Sequence, residues 1–175
     1  DINPEEFDEF VLHFATQLGW PKASILSMHG AIATAKLANQ RGEETPSIMF
    51  APWADPVAVE ERRARGDAAY VAVHGQPAPA AATPFRRSAY LDYLYGEIWT
   101  REGHLTRRDR RIISICCCAS VGVASETRAH LEAALRNDEL TIEELHELVV
   151  HFAVYVGWAL GGQLDDLLLE VGQQR

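Results

Sequence analysis

The chain has 175 residues, 47% hydrophobic and 23% charged, which makes it a globular sequence of one ordinary domain or two small ones and excludes general disorder. Sixteen basic residues against 25 acidic ones give a formal net charge of −9, which argues against a broad nucleic-acid surface, and no apolar run reaches the length of a membrane span. The three cysteines, Cys116, Cys117 and Cys118, are consecutive; that excludes a disulfide scaffold and a spaced cysteine-type zinc site and fits a cytoplasmic location.

The first residue is Asp1 rather than Met, and no signal-peptide pattern follows, so a processed or incomplete form of a longer product is expected. Asn3-Pro4-Glu5-Glu6 starts a helix: Asn3 caps, Pro4 takes the first helical position and Glu6 completes a capping box. Phe7, Phe10, Val11, Phe14 and Leu18 then recur at helical spacing, and Gly19-Trp20-Pro21 ends the helix. A second helix is expected from about 23 to 38. Residues 39–58, with Gly42, Pro46, Pro52 and Pro56, have linker composition. Asp55-Pro56 is the expected cap of a helix from Val57 to about Val73, followed by a loop over 75–84. Residues 85–99 are helical in pattern, with Tyr90, Leu91, Leu94 and Ile98 on one side.

Thr106-Arg107-Arg108-Asp109 opens the next helix with a second capping box. Its continuation, IISICCCASVGVA (112–124), has almost no polar face, which predicts a central, buried helix. Ser125 is the expected cap of a helix running to about Arg136. Thr141-Ile142-Glu143-Glu144 starts another that ends near Gly157-Trp158, and residues 161–172 form a last short helix. No alternating pattern is long enough for a strand, so the expected fold class is all-α.

Residues 2–26 align with residues 140–164 without a gap, with ten identities: Glu5/Glu143, Glu6/Glu144, Glu9/Glu147, Val11/Val149, His13/His151, Phe14/Phe152, Ala15/Ala153, Gly19/Gly157, Trp20/Trp158 and Leu26/Leu164. A two-copy chain whose first copy lacks its front half is expected: 1–40 as the tail of the first repeat, 41–58 as linker, 59–175 as a complete second repeat. On the helix from Thr141, a helical wheel puts Leu145, Leu148, Val149, Phe152 and Val156 on a core stripe. Glu144, Glu147, His151, Tyr155 and Trp158 fall on a second stripe. Glu147 and His151, four apart, are neighbours on that stripe, and the first copy has the same pair as Glu9 and His13. The spacing fits a surface ion pair, an acid/base site or an oligomer contact.

His146 and His151 in HELVVH are five residues apart, not the four that a zinc-protease helix needs, so no metal site is expected there. The cysteine triplet lies in the most apolar helix and fits packing. Arg101, Arg107, Arg108, Arg110 and Arg111 gather five of the sixteen basic residues near a helix start, where a solvated face or recognition of a carboxylate is expected. His130, mid-helix, fits a hydrogen-bonded interior or interface histidine. No phosphate loop, nucleophile elbow or dinucleotide fingerprint is present.

YGEIWTREGHLTRRDRRIIS (95–114), ETRAHLEAAL (126–135) and LTIEELHELVVHFAVYVGW (140–158) together resemble the carboxymuconolactone decarboxylase family. The resemblance implies an all-helical fold of the alkyl hydroperoxidase D-like type that assembles into trimeric or hexameric rings. Its peroxidase relatives use a CxxC followed by His. If His130 matches that histidine, the two cysteine positions fall on Val123 and Glu126, so this sequence departs from the peroxidase pattern. The decarboxylase branch implies a cofactor-independent carboxy-lyase of aromatic catabolism acting on a carboxylated lactone, whose own double bond and carbonyl accept the electrons left by CO₂. The expected catalytic residues are then His130, His151 and Glu147, the last orienting His151, with substrate binding by Arg101, Arg108, Arg111, Trp99 and Tyr155. An isomerase, hydratase or cyclase on the same scaffold, and a non-catalytic oligomeric assembly protein, are the alternatives.

Overall fold

The computed structural model describes residues 3–45, 57–101 and 103–173. They form eight helices and no strand: α1 (Pro4–Leu18), α2 (Trp20–Arg41), α3 (Val59–His74), α4 (Phe85–Ile98), α5 (Arg107–Ser120), α6 (Ala124–Arg136), α7 (Ile142–Val156) and α8 (Trp158–Gln173). Successive helices pair as hairpins, and three apolar clusters form: one within α1/α2, one within α3/α4, and the largest among α5, α6, α7 and α8. Helix α1 packs across α5, joining the first hairpin to the rest. None of the described helices is long and apolar enough to cross a membrane.

The capping boxes form as the sequence dictates. Asn3 accepts from the Glu5 amide while Glu6 accepts from the Asn3 amide, and Thr106/Asp109 and Thr141/Glu144 do the same at α5 and α7. Helices α1 and α7 have equivalent bounds under the alignment, and each ends on a glycine with positive φ: Gly19 at 91° and Gly157 at 120°. That conformation turns the chain within one residue, because it suits a residue without a Cβ. It explains why α2 and α8 start earlier than expected, at Trp20 and Trp158; Pro21 is tolerated in the first turn, where no amide bond is lost.

Other boundaries also differ from expectation. Helix α6 starts at Ala124 with no side-chain cap, not at a Ser125 cap, because the turn through Gly122 (φ 72°) closes α5 with Val123 N–H on Cys118 O at 3.0 Å and feeds straight into the next helix. The expected Asp55-Pro56 cap and most of the linker lie outside the described residues. On α7, Val156 is 40% exposed and Ala153 is buried in the core instead.

Helix α4 is wound with five-residue, π-type spacing, as in Trp99 N–H on Leu94 O at 3.1 Å. The wider winding rotates the buried face to Leu91, Asp92, Tyr95, Gly96 and Ile98, leaving Tyr90 and Leu94 half-buried. It also makes residues five apart into neighbours: Arg87 bonds Asp92, and Tyr95 Oη lies 3.3 Å from Tyr90 Oη. Helices α3 and α4 cross in close contact at Gly66, where a Cβ would meet Leu91 O at 2.4 Å.

Candidate active site

Helix α5 begins with consecutive arginines, and their directions organise the site. Neighbours on a helix project about 100° apart, so Arg110 turns toward α1 and Arg111 toward α3 and α6; both are fully buried. A buried guanidinium requires acceptors on several N–H groups and a counter-charge, and each arginine has them.

Arg110 Nη2 donates to Glu9 Oε1 at 2.7 Å and to Arg101 O at 3.0 Å. Arg101 Nε donates to both oxygens of the same carboxylate at 2.9 Å, so two guanidiniums from the second half of the chain hold one carboxylate of α1. Arg110 Nη1 approaches His13 Nδ1 at 3.4 Å, and His13 Nε2 lies 3.0 Å from Ser114 Oγ. Arginine only donates, so His13 Nδ1 accepts, the proton sits on Nε2, and Nε2–H donates to Ser114. Glu9 and His13 do not bond each other. Arg110 joins them.

Arg111 Nε donates to Glu139 Oε2 at 2.6 Å, Nη2 to Val73 O at 2.6 Å and Nη1 to His130 Nδ1 at 2.7 Å. His130 Nδ1 likewise accepts from a guanidinium, so its proton sits on Nε2. Beyond it lies His74, its ring centroid 5.3 Å from that of His130. His74 Nε2 lies 2.7 Å from Tyr95 Oη, Tyr95 donates to Tyr90 Oη at 3.3 Å, and Tyr90 donates to Glu126 Oε2 at 3.5 Å. This chain of hydroxyls runs from the buried imidazoles to the half-buried Glu126 at the start of α6.

Trp99, at the end of α4, sits between the two networks. Its ring meets His13 edge-on at 5.1 Å, stacks on His130 at 5.8 Å, and carries the Arg111 guanidinium 5.2 Å from its centroid. Its indole Nε1–H is buried with no hydrogen-bond partner among the described residues. A buried donor without an acceptor costs about 1–3 kcal/mol, and among the described residues this N–H is the one group of the cluster left without one.

Burial and the adjacent guanidiniums favour neutral imidazoles. The His13 pKa falls to about 3, through burial first and Arg110 second; His74 falls to about 4, through burial and then Arg111; His130 is held well below its ordinary value by burial and Arg111. Burial pushes the Tyr90 hydroxyl up to about 12. The thiols of Cys116, Cys117 and Cys118 are pushed up to about 11, 12 and 11, chiefly by burial, so they remain protonated. Among the described residues no three His, Cys, Asp or Glu side chains are grouped to hold a metal ion.

Of the residues singled out in the sequence, the structure brings together Trp99, Arg101, Arg111 and His130. Arg108 lies apart on the surface, bonded to Glu144 at 2.6 Å. Glu147, His151 and Tyr155 are exposed on α7, with the His151 and Tyr155 rings stacked at 5.3 Å. The cluster also contains Arg110, which the sequence placed in the arginine group, Glu9 and His13, which it showed only as the counterpart of Glu147 and His151, and His74, Tyr95, Ser114 and Glu139, which it did not single out. For Glu9 and His13 the signal was present, since they occupy the aligned positions of Glu147 and His151. For His74, Tyr95 and Glu139 no local pattern existed.

Residues 87–160 match a family model described as the carboxymuconolactone decarboxylase family. Among curated proteins, a 4-carboxymuconolactone decarboxylase of Acinetobacter baylyi (strain ATCC 33305 / BD413 / ADP1) is 37% identical over 65 residues, which are 37% of this chain and 47% of that protein. The chain thus spans about half the length of that relative. The family match contains Trp99, Arg101, Arg110, Arg111, His130 and Glu139, while Glu9, His13 and His74 lie outside it.

Proposed function

We propose, from the match of residues 87–160 to the carboxymuconolactone decarboxylase family, a cofactor-independent decarboxylase acting on a carboxylated lactone of the 4-carboxymuconolactone type. The observation that carries the proposal is the indole N–H of Trp99, without an acceptor among the described residues and buried beside Arg111 and the neutral His13 and His130.

In this reading the Trp99 N–H donates to an oxygen of the substrate, and the charges of Arg111, Arg101 and Arg110 favour the negative charge that develops there. As the C–C bond to CO₂ breaks, its electron pair passes through the lactone double bond to the carbonyl oxygen, giving a dienolate. Carbon then takes back one proton. His130 delivers it. Burial and Arg111 hold the free imidazole neutral; a substrate carboxylate that draws the Arg111 guanidinium off Nδ1 leaves that nitrogen open to the second proton, so substrate binding favours the imidazolium. His74, Tyr95, Tyr90 and Glu126 form the path by which that proton is replaced from solvent. Assembly into a homo-oligomer is part of the same proposal.

The test is release of CO₂ from 4-carboxymuconolactone. Trp99→Phe removes only the N–H and is expected to lower turnover, with His130→Gln lowering it by about 10²–10⁴-fold, the usual worth of a positioned proton donor. Absence of CO₂ release by the folded wild-type protein, or full activity in both variants, sinks the proposal.

A further inference from the structure

Two segments with the same face have opposite fates in this fold. On α1, Glu9 is 2% and His13 0% exposed, both held by Arg110 beneath the corner formed by the end of α4 and the start of α5. On α7 the aligned Glu147 and His151 are exposed, and neither has a charged partner among the described residues. Around them lie Val154, Tyr155 and Trp158, the last two 80% and 76% exposed. An apolar and aromatic patch of that kind on one helix face marks a contact surface. Helix α7 already buries Leu145, Val149, Phe152 and Ala153 against its own neighbours, so this second face is not needed for folding the hairpin.

We infer that Glu147 and His151 are the donated half of a second buried Glu–His–Arg site, completed by the Trp-x-Arg and Arg-Asp-Arg corner of another repeat of this kind. The occupant follows from what covers the aligned face of α1. Glu9 takes bonds from Arg101 and Arg110, and His13 meets Arg110, Ser114 and the edge of Trp99. A carboxylate and an imidazole four residues apart on an equivalent helix present the same acceptors at the same spacing, and the charges are complementary. The corner of this chain is covered by its own α1, so the partner is a repeat whose corner carries no such helix. The inference is independent of the proposed chemistry and of the homo-oligomer; its tests measure association and stability and stand whether or not CO₂ is released.

Two full-length variants test it. Glu9→Lys with His13→Lys places like charge against Arg101 and Arg110 and frees the corner; mixed with wild-type chain, it is expected to form a one-to-one complex in sedimentation velocity. Glu147→Lys with His151→Asp in the other chain is expected to abolish that complex. A folded probe, checked by circular dichroism, that remains monomeric with wild-type chain overturns the inference, as does a complex that survives the α7 substitutions. Should the probe not fold, a second variant decides: residues 4–18 are replaced by the sequence of residues 142–156, which keeps Glu9 and His13 and sets Tyr155 where Gln17 meets Ser114. Retained cooperative unfolding that Glu9→Gln weakens as it does in the wild type supports the α7 face as a fit to the corner. Loss of cooperativity, or indifference to Glu9→Gln, overturns it.

Discussion

Arg110 Nη2 donates to Glu9 Oε1 at 2.7 Å across 101 residues of sequence, and both side chains are almost fully buried. This contact, with the second bond from Arg101, fixes α1 to α5 and so ties the first hairpin to the rest of the chain. Removing one member of a buried pair leaves an uncompensated charge and typically costs about 3–5 kcal/mol. Glu9→Ala leaves two guanidiniums facing each other and is expected to lower stability by that order, read as a shift of the urea midpoint. A midpoint unchanged from wild type would show that α1 is held by its apolar contacts alone.

The aligned histidines are expected to differ sharply. His13→Gln disturbs a buried hydrogen-bonded position and should destabilise by about 1–3 kcal/mol. His151→Gln changes an exposed side chain and should stay within about 0.5 kcal/mol in the isolated chain. Thermal unfolding of the two variants at low protein concentration makes the comparison, and equal losses would contradict the assigned burial.

Stability should fall on mild acidification. The pKa values of His13, about 3, and His74, about 4, lie below the ordinary 6.5, and that of His130 is lowered in the same direction. Above pH 6.5 these groups are neutral in both states and stability is complete. Below it the unfolded chain binds protons that the folded chain refuses, so stability drops as pH falls from 6.5 toward 4 and then 3, by up to about 1.4 kcal/mol per pH unit for each histidine. Urea midpoints at pH 7.5, 6.0 and 5.0 measure the slope above most of the carboxylate titration. His74→Gln should make it shallower, and a flat profile would contradict the neutral buried imidazoles.

Thiol chemistry should be suppressed by the fold. With the three cysteines raised to about 11–12, the native protein is expected to alkylate far more slowly at pH 7.5 than the urea-unfolded chain, and to show no thiol-dependent peroxide turnover. Replacing Cys116, Cys117 and Cys118 by Ala should alter stability alone. Fast native alkylation, or peroxide consumption lost in that variant, would reverse this assignment.

Two glycines should respond in opposite directions to alanine. At Gly66 a Cβ would stand 2.4 Å from Leu91 O, so α3 and α4 must separate, at a cost of about 1–3 kcal/mol. Gly162, in α8, has nothing within 4 Å of such a Cβ, and Gly162→Ala should stabilise by up to about 1 kcal/mol through helix propensity. Thermal midpoints shifting together would contradict the close crossing.

The helices were legible in the sequence because their causes are local: capping residues, spacing of apolar side chains, glycines at turns. The arginine pair at the start of α5, Trp99 and His130 were visible as chemistry-bearing residues for the same reason. The sequence also showed the Glu–His pair twice, but it could not say which copy would be buried, since the two differ only in what lies opposite them. Tertiary structure decided that. Packing α1 over α5 surrounds Glu9 and His13 with Arg101, Arg110 and Ser114, while α7 packs through its other face and leaves Glu147 and His151 in solvent. His74, Tyr95 and Glu139 join the site only through contacts between helices distant in sequence or through the five-residue winding of α4. The depressed histidine pKa values have the same origin, because they come from burial and from arginines brought in by the fold.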